Sequence, residues 1–365
     1  MSVLSGWSAR WNNSDSECAW VGFEVLACAD FAHETARLSR PSVPDGRAFG
    51  VQGFQTEPLS PIHAMTRRES IVALLAAAVA GPALEAKAAP GADALFLKLR
   101  SRSVPREGRK PKVTERVARW VPARTALILC DMWDDHWCQS AARRVVEMAG
   151  PLNETVKVAR NRGIFVIHAP STCTGFYEGT PQRRRAKEAR FHPTPVPLVT
   201  SPRWGTAWCW TDPSREGVLP IDDSDMGCDC QPTKCEIRTP WTRQIASIEI
   251  ADGDAITDDG QETWNLLSER GIENVILCGV HLNMCVLGRP FAIRQQVRLG
   301  KNVALMRDMT DTMYNPERPP GVRHFEGTDL MVEHVERYWC PSFVSTDLTG
   351  RPAFRFAKDT SRNSP

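Results

Sequence analysis

The sequence predicts a doubly wound α/β domain, with a mostly parallel sheet flanked by helices in three layers. Three observations carry this. Short, nearly continuous apolar runs recur at 125–130, 164–168, 274–279 and 303–307. Unbroken runs of that length, rather than alternating ones, mark parallel strands covered on both faces. Helical-period segments ending at Gly163, Gly271 and Gly300 separate them, so the chain reads as strand, helix, strand with right-handed crossovers. Finally, Asp131 and Cys285 fall just beyond two of the strands, at the edge where open α/β sheets build sites.

In chain order, residues 1–64 carry Gly, Ser, Trp and Pro without a sustained period. They read as an extension without a fold of its own, upstream of a start at Met65. Residues 65–88 read as an export signal: Arg67 and Arg68, an apolar stretch from Ile71 to Ala80, then small residues around Ala86 and Ala88. The paired arginines resemble the twin-arginine signal; the alternative is a short amphipathic or core helix. The apolar stretch is too short to span a bilayer permanently. The expectation is therefore a mature protein that begins near Ala89, lies in the periplasm or outside the cell, and has no stable membrane span.

Residues 89–123, rich in Arg, Lys and Pro, read as an extended arm. The domain then occupies 124–348. Its first strand is 125–130, a helix follows with Pro151 near its start, and 164–168 is the second strand. Residues 170–245 interrupt the alternation with clustered Pro, Trp, Asp and Arg, too long for an ordinary loop, and read as an insertion that covers a site. Its Arg183-Arg184-Arg185 run reads as a solvated helix face. Beyond it, 247–250 is a strand candidate, 258–270 a helix, 274–279 a strand, 285–299 a helix, 303–307 a strand and 328–339 a last helix. The tail from 349 reads as polar and loose.

Composition bounds the partners. The formal charge is +2, with 45 basic and 43 acidic residues. That balance points to no nucleic acid and no polycation, and a small molecule is the expected substrate. A homo-oligomer is expected, and no cofactor. The chain has twelve Cys. Cys228, Cys230 and Cys235 cluster in the insertion; in an oxidising compartment a disulfide staple is favoured, with Cys209 or Cys173 as a further partner, and metal binding through thiolates is the alternative.

A cysteine where a strand hands over to a helix lies near free backbone N–H groups, which lower its pKa and can hold an oxyanion. Asp131, at a neighbouring strand end, can take the proton; the bland readings are a small core residue and a turn-forming Asp. At this point the segments ALILCDMWDDHW and GVHLNMCVLGRP, the latter preceded by GIENVIL, resemble the first-strand and nucleophile motifs of the isochorismatase-like cysteine hydrolases. The resemblance covers about residues 124–312. It implies a parallel sheet flanked by helices and hydrolysis of a C–N bond in an amide, ureide or carbamoyl compound. Cys285 is then the nucleophile and Asp131 the base, with a cis peptide between Val280 and His281. The N–H of Cys285 and of a neighbour, Met284 among them, would form the oxyanion hole.

The family's catalytic Lys is missing: the matching positions hold Ile250, Ala251 and Asp252. Arg243 and Lys234 are the candidate replacements, and Arg243 is preferred because a guanidinium can pair with Asp131 and polarise a carbonyl. His281 and Asn283 are expected to line the pocket, with Trp133, Trp137 and Trp241 as apolar walls or plain core. Arg289 and Arg294 are read as interface residues or partners of Asp308 and Asp311. Two rivals stand beside the hydrolase. One is a binding protein of the same fold without turnover. The other is a metal-dependent hydrolase built on Asp134, His136 and His168, with His192 as a further imidazole.

Overall fold

A computed structural model describes residues 94–104, 111–199, 201–203, 206–209 and 211–360. The expected extension at 1–64 and export signal at 65–88 lie outside these residues. Among the described residues no helix is long and apolar enough to cross a membrane.

Among the described residues, ten strands and seven α-helices follow in order. They are β1 (Leu95–Arg102), β2 (Val113–Trp120), β3 (Thr125–Cys130), α1 (Gln139–Asn161), β4 (Phe165–Ala169), α2 (Pro181–Lys187), β5 (Ser201–Arg203), β6 (Thr206–Trp208) and β7 (Ala255–Ile256). After them come α3 (Gly260–Glu269), β8 (Asn274–Val280), α4 (Cys285–Gly288), α5 (Ile293–Arg298), β9 (Asn302–Asp311), α6 (His324–Tyr338), β10 (Ser342–Phe343) and α7 (Thr346–Thr349). Eight strands form one sheet in the order β2-β1-β10-β9-β8-β3-β4-β7, and β5 and β6 form a separate pair. From β10 to β7 every pairing is parallel; β1 and β2 add an antiparallel edge.

The apolar runs of β3 and β8 are buried throughout because these strands lie mid-sheet with a helical layer on each face. Two apolar clusters result. One holds Ala126, Ile128, Val275 and Leu277; the other, on the opposite face, holds Leu127, Leu129 and Ile276. From β3 the chain proceeds outward to β4 and β7, then returns with β8 to the other side of β3. The strand order thus reverses between β3 and β8, and the carboxyl ends of these two strands border the crevice where such sheets bind ligands. Gly279 closes this junction: its φ is +98°, and a Cβ there would lie 2.1 Å from the Cys130 carbonyl oxygen.

Several expectations are corrected. The arm at 89–123 contains the β1–β2 hairpin, in which Leu95, Leu97 and Leu99 alternate inward. The strand expected at 247–250 is absent, and β7 takes the sheet edge instead. Pro151 sits inside α1, not near its start. The helix expected over 285–299 is broken into α4 and α5 around Arg289 and Pro290, because proline lacks the N–H and forces the residue before it into extended geometry. Part of the tail is packed, with Phe356 stacked on Phe325 and Phe354 edge-on to Phe356.

Candidate active site

Asp131 is the first residue after β3. Its φ is +48°, a left-handed conformation that Asp tolerates better than most side chains. Two bonds hold it there: its N–H donates to the Ala169 carbonyl (3.1 Å), and its Oδ1 accepts from the Ser171 N–H (2.7 Å). The carboxylate is wholly buried. Oδ2 faces Nε of Arg289 at 3.7 Å, and the Cys285 thiol contacts both the carboxylate and the guanidinium.

Arg289 reaches this position from the nucleophile segment itself. Helix α4 is only four residues long, and Arg289 ends it in an extended conformation, its N–H bonded to the Cys285 carbonyl (3.0 Å). Its guanidinium lies 5.5 Å from the centre of the Trp208 ring. The indole comes so close because residue 288 is glycine; a Cβ there would meet the ring at 2.4 Å.

Electrostatically, Asp131, Cys285 and Arg289 form one unit. Burial pushes the Asp131 carboxyl up, opposed by Arg289 and by the hydrogen bonds it accepts. Burial pushes the Cys285 thiol up as well; Asp131 adds to this and Arg289 opposes it. Burial disfavours the charge on Arg289, but Cys285 and Asp131 outweigh it and keep the guanidinium protonated. One cation therefore faces two acidic groups that burial pushes up, and it can compensate one negative charge between them. The expectation that a helix N-terminus lowers the Cys285 pKa is overturned: α4 is too short to supply the field, and desolvation dominates.

The Val280–His281 peptide is cis. The His281 carbonyl accepts from the N–H of Met284 (3.0 Å) and of Val286 (3.1 Å), so of these three consecutive amides only that of Cys285 is not bonded to it. Met284 is thus no oxyanion donor. The His281 ring is buried edge-on to His136 at 5.0 Å. Burial holds both imidazoles neutral, pushing His136 down to about 4 and His281 well below its ordinary value.

Trp133 and Trp241 stack at 4.2 Å and 7°, with His136 beside them. This stack is tied down at Ser171 and Thr172, since Trp133 Nε1 donates to the Ser171 carbonyl (3.2 Å) and Trp241 Nε1 to the Thr172 hydroxyl (3.0 Å). Cys285 is only 3% exposed.

By structure the chain is similar to a cysteine hydrolase from Pseudomonas syringae pv. phaseolicola 1448A. The identity is 16%, covering 65% of this chain and 97% of that one, with a TM-score of 0.38. It is also similar to an isochorismatase from Pseudomonas putida KT2440 (12% identity, 62% and 90% covered, TM-score 0.36). An N-carbamoylsarcosine amidase from Thermoplasma acidophilum is a further likeness (12%, 61% and 96%, 0.32). No sequence-family model and no curated protein sequence matches the chain. At these identities none of the likenesses assigns a reaction.

The sequence-predicted residues divide. Asp131 and Cys285 come together, with Trp133 close by. Arg243 does not join them: its side chain is 46% exposed, pairs with Asp134 (Nε–Oδ2 3.8 Å) and lies over Phe176. Lys234 pairs with Glu317 (3.1 Å). Asn283 is a structural clamp, donating to Asp223 (2.8 Å) and the Met313 carbonyl (3.1 Å) and accepting from the Met313 N–H (3.0 Å). The metal set Asp134, His136 and His168 is not assembled. Asp134 holds Thr242, His136 accepts from the Cys138 N–H, and His168 sits between Gln244 (2.8 Å) and Asp254 (3.0 Å). Arg294 pairs with Glu216 rather than Asp308 or Asp311. Sequence reasoning missed Arg289, although its spacing from Cys285, four residues on in a helical stretch, puts the two on one side.

Proposed function

We propose that the chain is a cysteine hydrolase that opens a C–N bond of a small amide, ureide or carbamoyl compound. The observation that carries this reading is the buried Asp131–Cys285–Arg289 unit at the point where the strand order reverses. Asp131 takes the thiol proton, and Arg289 then faces a thiolate in place of a carboxylate, so the net charge of the unit does not change. The thiolate adds to the carbonyl carbon, and the Cys285 N–H donates to the developing oxyanion. As the C–N bond breaks, the proton on Asp131 passes to the leaving nitrogen. Water then gives its proton to Asp131 and attacks the thioester; the C–S bond breaks, the acid product leaves and Cys285 recovers a proton. The Trp133–Trp241–His136 stack serves as an apolar wall beside this unit.

The burial of Cys285 and the upward push on its thiol favour a second reading, a small-molecule binding protein without turnover. A panel of amides, ureides and carbamoyl compounds, assayed with wild type, Cys285→Ala and Asp131→Asn, separates the two. The hydrolase reading predicts turnover by wild type alone and an acyl adduct on Cys285 after acid quench. Turnover retained by Cys285→Ala removes the nucleophile. Ligands that raise Tm in wild type with no product formed support the binding protein.

A further inference from the structure

The insertion was expected to be stapled by a disulfide. Instead Cys228, Cys230 and Cys235 are free thiols, as are Cys209 and Cys173. Cys138, 90 residues upstream of Cys228, joins the cluster: one sulfur each from Cys138, Cys228 and Cys230 lies within 4.8 Å of the other two, and all three residues are buried. The Cys138 and Cys230 sulfurs are 3.9 Å apart. A disulfide requires about 2.05 Å. In a tetrahedral site with zinc–sulfur bonds of about 2.3 Å, neighbouring sulfurs lie about 3.8 Å apart. Cys235, half-buried and five residues beyond Cys230 in the same loop, offers a fourth thiol.

The cluster sits at the start of α1. Cys138 is the N-cap of this 23-residue helix. The backbone N–H of Ser140, in its first turn, donates to the Cys230 sulfur at 3.3 Å. A backbone N–H aimed at a sulfur favours its thiolate form.

We propose that Cys138, Cys228, Cys230 and Cys235 bind one structural zinc ion as four thiolates. Binding releases four thiol protons and leaves the complex with a net double negative charge. The Ser140 N–H opposes that charge, while Arg144, paired with Asp229 (2.9 Å) and Asp311 (2.6 Å), ties the residue between Cys228 and Cys230 to α1. Four sulfur ligands leave no open position, so the ion holds structure and does not activate water. It clamps the 228–235 loop of the insertion to the segment that runs from Asp131 through Trp133 and His136 to α1, and so fixes the wall of the candidate active site. This holds whichever reaction that site performs.

Elemental analysis of the full chain, purified under reducing conditions without chelator, tests the proposal. We expect one zinc per chain. Cobalt(II) exchanged into the site is expected to show sulfur-to-metal charge-transfer and tetrahedral ligand-field bands. Cys138→Ser and Cys230→Ser are expected to lose the stoichiometric metal, while Cys340→Ser, outside the cluster, retains it. Should the cluster variants fail to fold, titration of the wild type with a mercurial decides: zinc is released as four thiols react, mapped by peptide mass to 138, 228, 230 and 235. Wild type with less than a tenth of an equivalent of zinc and no cobalt thiolate bands overturns the proposal. So does a disulfide joining any two of the four.

Discussion

At the scale of single residues, the candidate site depends on where a positive charge is held. A buried carboxyl and a buried thiol side by side would both be neutral without a cation, because burial pushes both up. Arg289, 2% exposed and locked between Trp208 and Asp131, supplies that cation. Replacing it with Met removes the force that opposes protonation of Asp131, so the base is lost at neutral pH. On the proposed mechanism kcat/KM of Arg289→Met falls by about a hundredfold or more, the scale of a general base. The acid limb of its pH–rate profile moves to higher pH. Arg289→Lys keeps the charge without the planar fork and falls between. An unchanged acid limb in Arg289→Met would separate Arg289 from Asp131.

At the scale of elements, the insertion is anchored as much by one carboxylate as by its apolar contacts. Glu216 is buried and accepts from Arg294 on α5 (2.8 and 3.0 Å), from His334 on α6 (2.9 Å) and from Trp339 Nε1 (2.8 Å). Burial pushes this carboxyl up, but the hydrogen bonds from His334 and Arg294 and the charge of Arg294 win and hold it down to about 2. A depressed carboxylate contributes stability that is fully present above its unfolded value near 4.5 and is lost as pH falls toward 2. The shift corresponds to about 3 kcal/mol. Glu216→Gln leaves the Arg294 charge buried without its partner and should cost about 3–5 kcal/mol at pH 7. Denaturant unfolding at pH 7, 5 and 3 checks this: the gap between wild type and variant should be constant down to about pH 5 and narrow below it. A gap that does not narrow would remove Glu216 as the titrating anchor.

The sequence revealed elements best where one physical signal dominated. β3 and β8 were readable because unbroken apolar runs have no other home than a sheet covered on both faces. β1 was hidden because Arg and Lys on its outer face mask the Leu95, Leu97, Leu99 alternation. The break between α4 and α5 was signalled by Pro290, but the helical spacing of Val286, Phe291 and Ile293 outweighed it. That mistake also concealed Arg289, which read as an interface residue or a partner of Asp308 or Asp311. The partners of Glu216, Cys138 and Asn283 are contacts across 60 or more positions for Asn283 and Asp223, and more for the others, and no local period encodes them.

For the whole molecule, the account joins a sheet that reverses its strand order between β3 and β8, a cysteine and an aspartate at that reversal, and an insertion that walls them in. Asp131 and Cys285 could be found from sequence because the fold fixes where strand ends lie. The insertion's path could not, because it is held by individual side-chain contacts. The central claim is that Asp131 and Cys285 share one proton beside Arg289, and the pH dependence of Cys285 alkylation by iodoacetamide, read by peptide mass, tests it most directly. An isolated thiol below its pKa gains reactivity about tenfold per pH unit, following its thiolate fraction. A shared proton instead makes the thiolate form a fixed fraction between the two macroscopic pKa values of the pair, so the rate is level through neutral pH in wild type. In Asp131→Asn it climbs tenfold per unit. A tenfold-per-unit climb through neutral pH in wild type would contradict the account.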